Sequence, residues 1–335
     1  MSVSPRVGEG TSNWVSGWCV EGAKVIEICQ RGDKLLEDEI AKVYKGKKVS
    51  KGIATPCTIS PSTFITPYTP LVSDTEEAAI TLKAAEPVKI QLGAQIDGFG
   101  SIVCDTVLAR SKSDSDGTVT GRAADLLLAT HYANELLLRM MVPPGLLATG
   151  TEEEKKKAQA QKPYSQSKIT QMLEKLGKTY DCKLVENTTC WLFDRNEIES
   201  KKKIILAPGD GVKGEGLAEV GEVWGVEVGL STGTGKVKTL PNRATLHRRT
   251  ATNYGLKRPS SRATLSEIQK KFGTFPFSLR QLEDERAGKV GIVECVRGGV
   301  VRQYEVVASN DGEPVSRLFT TIGKSKLLGS NYARI

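Results

Sequence analysis

Residues 88–108, VKIQLGAQIDGFGSIVCDTVL, have the pattern of a two-stranded β-hairpin. Asp97-Gly98 at its centre is a dipeptide typical of a type I′ turn, which needs positive φ at both positions. A two-residue turn here fixes the register, so Gln91 faces Cys104 and Ile102 lies on the same face as Gly93. A hairpin of this length requires further layers over its apolar face, which restricts the chain to folds that contain a sheet.

The two faces of this hairpin differ in chemistry. One face is apolar and is predicted to face the core, with Asp105 falling on the same side. The other face offers the amides of Gln91 and Gln95 and the Cys104 thiol, where a hard divalent metal requires carboxylate oxygens. We therefore predict that the hairpin holds no metal. The residues predicted to face the core are Ile90, Leu92, Ala94, Ile96, Phe99 and Val103.

Helical and strand patterns mix along the whole chain, which predicts an α+β fold rather than a doubly wound sheet. Besides the two strands of the hairpin, the predicted strands follow Cys182, and they include VGIVECV and VSRLFTTI near the end. The predicted helices cover residues 20–44, 120–141 and 165–177, with Gly177 as a stop, a solvated helix or linker at TEEEKKKAQAQK, and two short helices at SRATLSEIQKKF and FSLRQLEDERAG.

Composition limits the compartment and the membrane relation of the chain. No stretch approaches about 20 consecutive apolar residues, so a membrane span is not expected. Seven scattered cysteines without a CxxC pair are typical of reduced thiols, and the amino terminus has no secretory signal pattern. We expect a protein of the nucleus and cytoplasm.

Few motifs suggest catalysis. STGTGK, at residues 231–236, lacks the glycine spacing of a phosphate-binding loop, so it is predicted to form a hairpin turn. Only two histidines occur. His131 lies in a leucine-rich helix and is predicted to pack against the core, whereas His247, among arginines, is predicted to be a charged partner of phosphate.

A basic block begins at Arg243, in a chain of net charge +8. Between Arg243 and Arg280, nine lysines and arginines stand against one acid, Glu267. Arginine binds phosphate in a bidentate manner, and hydroxyls such as that of Tyr254 add shorter contacts. A solvated basic surface without function has the same composition. The predicted phosphate contacts are Arg243, Arg248, Arg249, Lys257, Arg258, Arg262, Lys270 and Lys271.

The hairpin, the strand VWGVEVGLSTGTGK and the block NYGLKRPSSRATLSEIQKKFGTFPFSLRQLEDERAGKVGIVECV together resemble a known family. This is the ErbB3-binding or proliferation-associated protein family, non-catalytic relatives of type 2 methionine aminopeptidases. The resemblance implies a pita-bread fold with a basic helical insert near residues 242–289. It implies one domain over residues 1–335, with a poorly matched segment at 1–18 and a short tail at 323–335.

The resemblance also implies where a two-metal centre would stand. In the aminopeptidases, two aspartates, one histidine and two glutamates bind two metals. Only one of these five ligands is retained here, as Glu227, and one carboxylate cannot hold two metals. The replaced positions are Gln91 and Ile102 for the aspartates, Cys190 for the histidine, Phe319 for the second glutamate, and Pro67 for a further histidine that contacts substrate.

These residues predict a non-catalytic protein that needs no metal or cofactor and binds structured nucleic acid. The resemblance implies curved DNA, ribosomal RNA near the exit of the large subunit, or both, with other protein partners and no membrane. We expect shape rather than base edges to set the preference. One alternative is an active metallo-aminopeptidase that uses Glu227 with improvised ligands such as Cys190, Cys104 or Asp97. The other is a scaffold that holds a peptide in the empty cleft.

Overall fold

The structure is a computed structural model that describes residues 12, 14–111, 118–146, 148, 150–212, 214 and 216–323. The described chain divides into two compact units. Most of the poorly matched segment 1–18 and of the tail 323–335 lies outside the described residues. The organisation as a single domain stays a prediction. Unit 1 contains the described residues up to Thr118, Arg195–Glu197 and Lys238–Ala308, and unit 2 contains Val119–Asp194, Ile198–Val237 and the described residues from Ser309.

Unit 1 begins with a helix packed on an antiparallel sheet. Helix α1 buries Val25, Cys29, Leu36 and Ile40, whose helical spacing places them on one side, and these residues join the apolar face of the hairpin in one hydrophobic cluster. The elements are α1 (Val25–Lys42), β1 (Lys51–Pro61), the short α2 (Thr75–Ala78), β2 (Pro87–Ile96) and β3 (Phe99–Leu108), with strand order β1-β2-β3.

The hairpin has the register that its turn predicts. Asp97 and Gly98 have φ values of 54° and 82°, as a type I′ turn requires. Gln91 pairs with Cys104 and Gly93 with Ile102. These pairings confirm the assignment of the non-core face.

Burial on the apolar face fades toward the tip of the hairpin. Ile90, Leu92, Ala94 and Val103 lie in the core, as predicted. The prediction was wrong for Phe99, which directly follows the turn at the tip of the hairpin and is 52% exposed. Asp105 is exposed, as solvation of a carboxylate favours.

The remainder of unit 1 forms the basic insert, residues 242–289, and the helix and strands that complete it. A three-stranded sheet of order β10-β9-β11 carries two helices, and β8 pairs with β12. The elements are β8 (Val237–Thr239), β9 (Leu246–Arg249), α6 (Pro259–Lys271), β10 (Phe277–Ser278), a 3₁₀ turn (Leu279–Gln281), α7 (Glu285–Arg297), β11 (Val301–Gln303) and β12 (Val307–Ser309).

Helix α7 corrects the prediction that VGIVECV is a strand and that FSLRQLEDERAG is a helix. Asp284 caps α7 by accepting a hydrogen bond from the Ala287 N–H, and the helix then runs through the apolar stretch. Its buried residues are Gly288, Gly291, Ile292 and Cys295. A short apolar run does not distinguish a buried helix from a strand, but this spacing of three and four residues is helical.

Unit 2 packs helices on antiparallel strands. Its core includes Leu126 and Leu137 of α3, Leu173 of α5, and Trp224 and Val226 of β7. The strand order is β13-β7-β5-β6, and β4 also pairs with β7. The elements are α3 (Gly121–Met140), α4 (Glu152–Gln159), α5 (Gln166–Thr179), β4 (Lys183–Leu184), β5 (Thr188–Phe193), β6 (Lys203–Leu206), β7 (Val223–Ser231) and β13 (Val315–Gly323).

The three helices of unit 2 agree closely with their predicted positions. Helix α4 is solvated, with a capping box between Thr151 and Glu154. Ser165 caps α5, which continues to Thr179 through the predicted stop at Gly177. That glycine packs inside the fold, since an added Cβ would lie 2.8 Å from the Cys182 carbonyl oxygen.

Candidate functional site

In unit 1, the hairpin face that corresponds to a metal site is closed by an aliphatic side chain. Gln91, Ile102 and Cys104 are all nearly buried on this face. A Cβ added to Gly93 would lie 2.8 Å from the Ile102 Cγ1 atom, so the isoleucine fills the space beside the glycine. The face therefore carries an amide, a thiol and an aliphatic branch, and its strands place no carboxylate on it.

In unit 2, the retained glutamate has an arginine partner. The β7–β13 register sets Glu227 opposite Phe319 and Gly229 opposite Arg317. The Arg317 Nε atom lies 2.7 Å from the Glu227 Oε1 atom, and the arginine side chain is 4% exposed. The Nε–H does not point at that oxygen, so the contact is an ion pair rather than an aligned hydrogen bond.

The ion pair changes what Glu227 offers a ligand. Burial raises the pKa of Glu227, and the Arg317 guanidinium opposes that rise. A guanidinium beside the only retained carboxylate supplies the positive charge that a divalent cation would bring, and it repels such a cation. We call Glu227, Gly229, Arg317 and Phe319 the Glu227 face.

Aromatic rings cover the neighbouring part of the Glu227 face. The rings of Phe193 and Phe319 have centroids 6.3 Å apart. A Cβ added to Gly225 would lie 2.5 Å from an atom of each ring, so both rings lie against the glycine backbone. Phe319, at the position of the second glutamate, therefore packs as an apolar side chain.

The other two replaced positions are not drawn into a ligand set. Cys190 is buried in the unit 2 core beside Val226, and its Sγ atom contacts the main-chain N and O of Glu227 at 3.4 Å rather than the carboxylate. Pro67 is half-buried in unit 1, before the core residue Tyr68. Among the described residues, no three His, Cys, Asp or Glu side chains are grouped so as to hold a metal ion.

Both histidine predictions were wrong. His247 is 2% exposed and stacks on Phe277, and burial lowers its pKa to about 4, so it is neutral at physiological pH and does not face phosphate. Its strand, β9, is the central strand of three, and the consecutive residues Leu246, His247 and Arg248 are all buried. His131 is exposed and contacts the edge of Tyr132 instead of the core.

Two arginines of the basic block are internal. Arg248, predicted as a phosphate contact, is 8% exposed, and its Nη2 atom donates to both carboxylate oxygens of Glu197. Arg280 donates to Asp33, to the Thr69 hydroxyl and to a main-chain carbonyl oxygen. The charge of a buried arginine engaged in this way compensates internal groups, so the arginine is not available to an external phosphate.

Other members of the block line an exposed groove of about 440 Å³. Arg243 lies 3.6 Å from Asp74, and Lys289 also pairs with that aspartate. No ion pair is present for the side chains of Arg258 and Arg286 among the described residues. We call this the insert groove; its lining residues are Arg243, Arg258, Arg286, Lys289, Val290 and Val293.

Sequence reasoning missed Arg286 and Lys289. They follow the acidic stretch Glu283–Glu285, beyond the basic block that ends at Arg280. Arg286, Lys289, Val290 and Val293 are spaced three or four residues apart, which places them on one helix face. This spacing could have indicated a shared basic face, but the sequence analysis predicted a strand over part of α7.

The other predicted contacts differ in availability. Lys257 and Lys270 are exposed. Arg262 donates from Nη1 to two main-chain carbonyl oxygens, and Lys271 pairs with Glu267 at 2.8 Å, so part of their hydrogen-bonding capacity is already used. Arg249 is half-buried and lines a second cavity.

The STGTGK segment is a loop without a free anion site. The Thr234 N–H and hydroxyl both donate to Asp311, so a carboxylate occupies the donors that a phosphate would require. Strand β8 follows the loop, where a phosphate-binding motif would require a helix. The loop connects two strands that pair with other partners, so it is not the predicted hairpin turn.

No helix of the described residues is long and apolar enough to cross a membrane.

No protein-family model matches the chain. The chain is 35% identical to the curved DNA-binding protein of Schizosaccharomyces pombe over 328 residues. This alignment covers 97% of the chain and 80% of that protein. It is 32% identical to ERBB-3 binding protein 1 of Solanum tuberosum, over 91% of the chain and 72% of that protein.

Solved structures agree with these relatives. A thermophilic Arx1 structure has a TM-score of 0.94 and 63% identity, covering 97% of this chain and 87% of that one. Methionine aminopeptidase of Thermotoga maritima has a TM-score of 0.57 at 12% identity, covering 99% of this chain and 92% of that one. The second likeness shows the fold alone and confirms the predicted pita-bread, methionine aminopeptidase-like architecture.

Proposed function

The chain belongs to the family of the curved DNA-binding protein, ERBB-3 binding protein 1 and Arx1, and we propose that it is a non-catalytic scaffold that binds structured nucleic acid through its basic insert. The observation that carries the proposal is the insert groove. There, four cationic side chains line one exposed cavity; Arg243 and Lys289 share Asp74, whereas the guanidinium groups of Arg258 and Arg286 form no ion pair among the described residues.

Phosphate binding follows from this arrangement. Each cation that neutralises a phosphate releases a condensed counterion, so affinity falls steeply with salt. Guanidinium groups also bind phosphate oxygens in a bidentate manner. The exposed residues that would extend the footprint are Lys257, Arg262 and Lys270.

The absence of catalysis is proposed from the Glu227 face and the hairpin face. Arg317 neutralises the retained carboxylate, and Phe319 and Ile102 are apolar at ligand positions. A two-metal mechanism needs several anionic ligands to hold and bridge its ions. We therefore expect purified protein to contain no stoichiometric metal. Two metals per chain in elemental analysis, together with cleavage of amino-terminal methionine, would instead show an active metallo-aminopeptidase.

The ligand that we propose is helical nucleic acid with irregular structure, either ribosomal RNA of the large subunit or curved DNA. The name of the Schizosaccharomyces pombe relative describes curved DNA as the ligand of that protein. We further propose that the chain works in the nucleus and the cytoplasm. A scaffold that holds a peptide would instead bind through polar groups such as Gln91 and Glu227, both of which are nearly buried or ion-paired.

The test compares two charge-reversed variants of equal net charge. The first replaces Arg243, Arg258, Arg262 and Lys270 by Glu in the basic insert. The control replaces four exposed lysines of unit 2 by Glu: Lys156, Lys157, Lys162 and Lys168.

Binding to large ribosomal subunits is measured by co-sedimentation across a salt series, with bent duplex DNA as competitor. The insert variant is expected to weaken binding and to reduce the salt slope by about 4, one for each lost phosphate contact, whereas the control keeps most of its slope. Equal losses in both variants, or none, would remove the basic insert from the proposal. Loss of the wild-type protein to the competitor would identify DNA as the preferred ligand.

A further inference from the structure

A second cavity of the insert region, about 280 Å³, differs in chemistry from the insert groove. Leu265 and Val300 supply apolar walls, and the ring of Tyr254 is half-exposed at the cavity. The polar groups of its lining side chains are one guanidinium, two amides and the hydroxyls of Thr252 and Tyr254, with no carboxylate. We call this cavity the Tyr254 pocket; its principal lining residues are Arg249, Asn253, Tyr254, Leu265, Gln269 and Val300.

The polar side chains of the Tyr254 pocket have hydrogen-bonding capacity to spare. The side chains of Arg249, Asn253 and Gln269 form no hydrogen bond or ion pair with other described residues. Each amide carries two donors and one acceptor, so it can match the edge of a heterocyclic base. The guanidinium provides donors only, in the geometry that suits a phosphate.

The loop that carries Tyr254 is anchored at both ends. Before it, the Thr250 hydroxyl donates to the Gly299 carbonyl oxygen at 2.6 Å. After it, the N–H groups of Lys257 and Arg258 donate to the two carboxylate oxygens of Glu294 at 2.8 and 3.0 Å. Because these bonds order the loop in advance, a ligand loses less of its binding free energy to ordering it.

Helix α7 supports the tyrosine ring directly. A Cβ added to Gly298 would lie 2.6 to 3.1 Å from three atoms of the Tyr254 ring. The glycine therefore lets the ring lie against the main chain at the end of α7. One side of the ring is supported, while about half of the residue remains accessible for stacking.

We propose that the Tyr254 pocket takes one unpaired nucleobase of the bound nucleic acid. The base stacks on Tyr254, Asn253 and Gln269 contact its edge, and Arg249 contacts the adjoining phosphate. The inference rests on the proposed function and deepens it, because it adds a base contact to a surface for which we expected recognition of shape alone. Aromatic side chains stack on bases that a loop or bulge releases from the helix, whereas paired bases are not accessible.

The probe is an RNA hairpin with a single bulged 2-aminopurine, compared with the same hairpin without the bulge and with the DNA counterparts. We expect the bulge to raise wild-type affinity about tenfold, the order of one base stacked on an aromatic ring. We also expect stacking on Tyr254 to quench the 2-aminopurine fluorescence. The DNA hairpins show whether the sugar contributes.

Three variants separate stacking from structure. Tyr254→Ala should lose both the bulge preference and the quenching, whereas Tyr254→Phe should keep both because the ring remains. Tyr164→Ala removes an equally exposed tyrosine of unit 2 and should change neither. The thermal midpoint of each variant checks that its fold is intact.

The outcomes also separate this inference from the proposed function. Binding that responds to charge reversal in the basic insert, but not to the bulge or to Tyr254→Ala, would overturn the Tyr254 pocket and leave the proposed function standing. Failure of the wild-type protein to bind any of the hairpins would overturn both.

Discussion

Arginine has opposite roles on the Glu227 face and in the insert groove. Arg317 is 4% exposed and its charge is neutralised by Glu227 inside unit 2. Arg258 and Arg286 lie at the surface of unit 1, and neither side chain forms an ion pair among the described residues. The contrast shows that a count of basic residues does not predict an anion site, because an internal carboxylate can use the same charge.

The largest expected effect concerns the buried ion pair between Arg317 and Glu227. Arg317→Met leaves the buried Glu227 carboxylate without its partner and should lower the free energy of unfolding by about 3–5 kcal/mol, measured by urea denaturation. The double variant Arg317→Met with Glu227→Gln should recover much of that loss, since no buried charge is left unpaired. Additive losses in the two single variants and the double variant would show that the pair is not coupled.

A second prediction concerns a buried base that has no acidic partner. The pKa of His247 is lowered from 6.5 to about 4 by burial, so the unfolded chain takes up a proton first as the pH falls. The free energy of unfolding should therefore decrease between pH 6.5 and pH 4 by about 3 kcal/mol from this residue, and be unaffected by it above pH 7.

His247→Phe removes this dependence, so urea unfolding of the two proteins at pH 7 and pH 4.5 measures it. The variant should lose less stability than the wild type across that range. Parallel losses would mean that the histidine titrates normally and is not buried as described.

A third prediction concerns the close packing of α6 and α7 in the insert region, which depends on a glycine rather than on charge. A Cβ added to Gly291 of α7 would lie 2.0 Å from the Thr264 hydroxyl oxygen of α6 and 2.9 Å from the Ser260 carbonyl oxygen. Gly291→Ala should therefore separate the helices and lower the free energy of unfolding by about 1–3 kcal/mol. Ala at Gly255, where an added Cβ meets nothing within 4 Å, is the matched control.

The smallest expected effect on stability belongs to the exposed arginines. Arg258→Ala and Arg286→Ala should each change the free energy of unfolding by no more than about 0.5 kcal/mol, because neither side chain has an ion pair to lose among the described residues. Both should still weaken binding to nucleic acid and reduce its salt slope by about 1 each. A large loss of stability would show that these arginines support the fold, as the internal arginines do.

Local chemistry made the hairpin predictable. The type I′ turn at Asp97-Gly98 determined every pairing from Gln91–Cys104 to Ile96–Phe99. The bounds of α3 and α5 followed within two residues from periodicity and capping groups such as Ser165, whereas α1 begins at Val25, five residues after its predicted start. These signals act over a few residues, so they can be read from the sequence.

The internal arginines depended on partners far along the chain. Arg248 pairs with Glu197, 51 residues away, and Arg280 pairs with Asp33, 247 residues away. The same holds for Glu227, whose partner Arg317 comes from a strand paired with β7 near the end of the described chain. No local pattern marks such residues as buried, so the phosphate-contact prediction included Arg248 in error.

The order of the chain through the two units has a consequence for synthesis. The three residues Arg195–Glu197 belong to unit 1 although unit 2 surrounds them in sequence, and Lys238–Ala308 returns to unit 1. A growing chain therefore cannot complete unit 1 before Ala308 has emerged, nor pair β7 with β13 before Gly323. One edge of β7 stays unpaired, with apolar surface exposed, until its partner β13, more than 80 residues downstream, has been synthesised. Assembly is therefore expected to be late and slow, and to depend on chaperones.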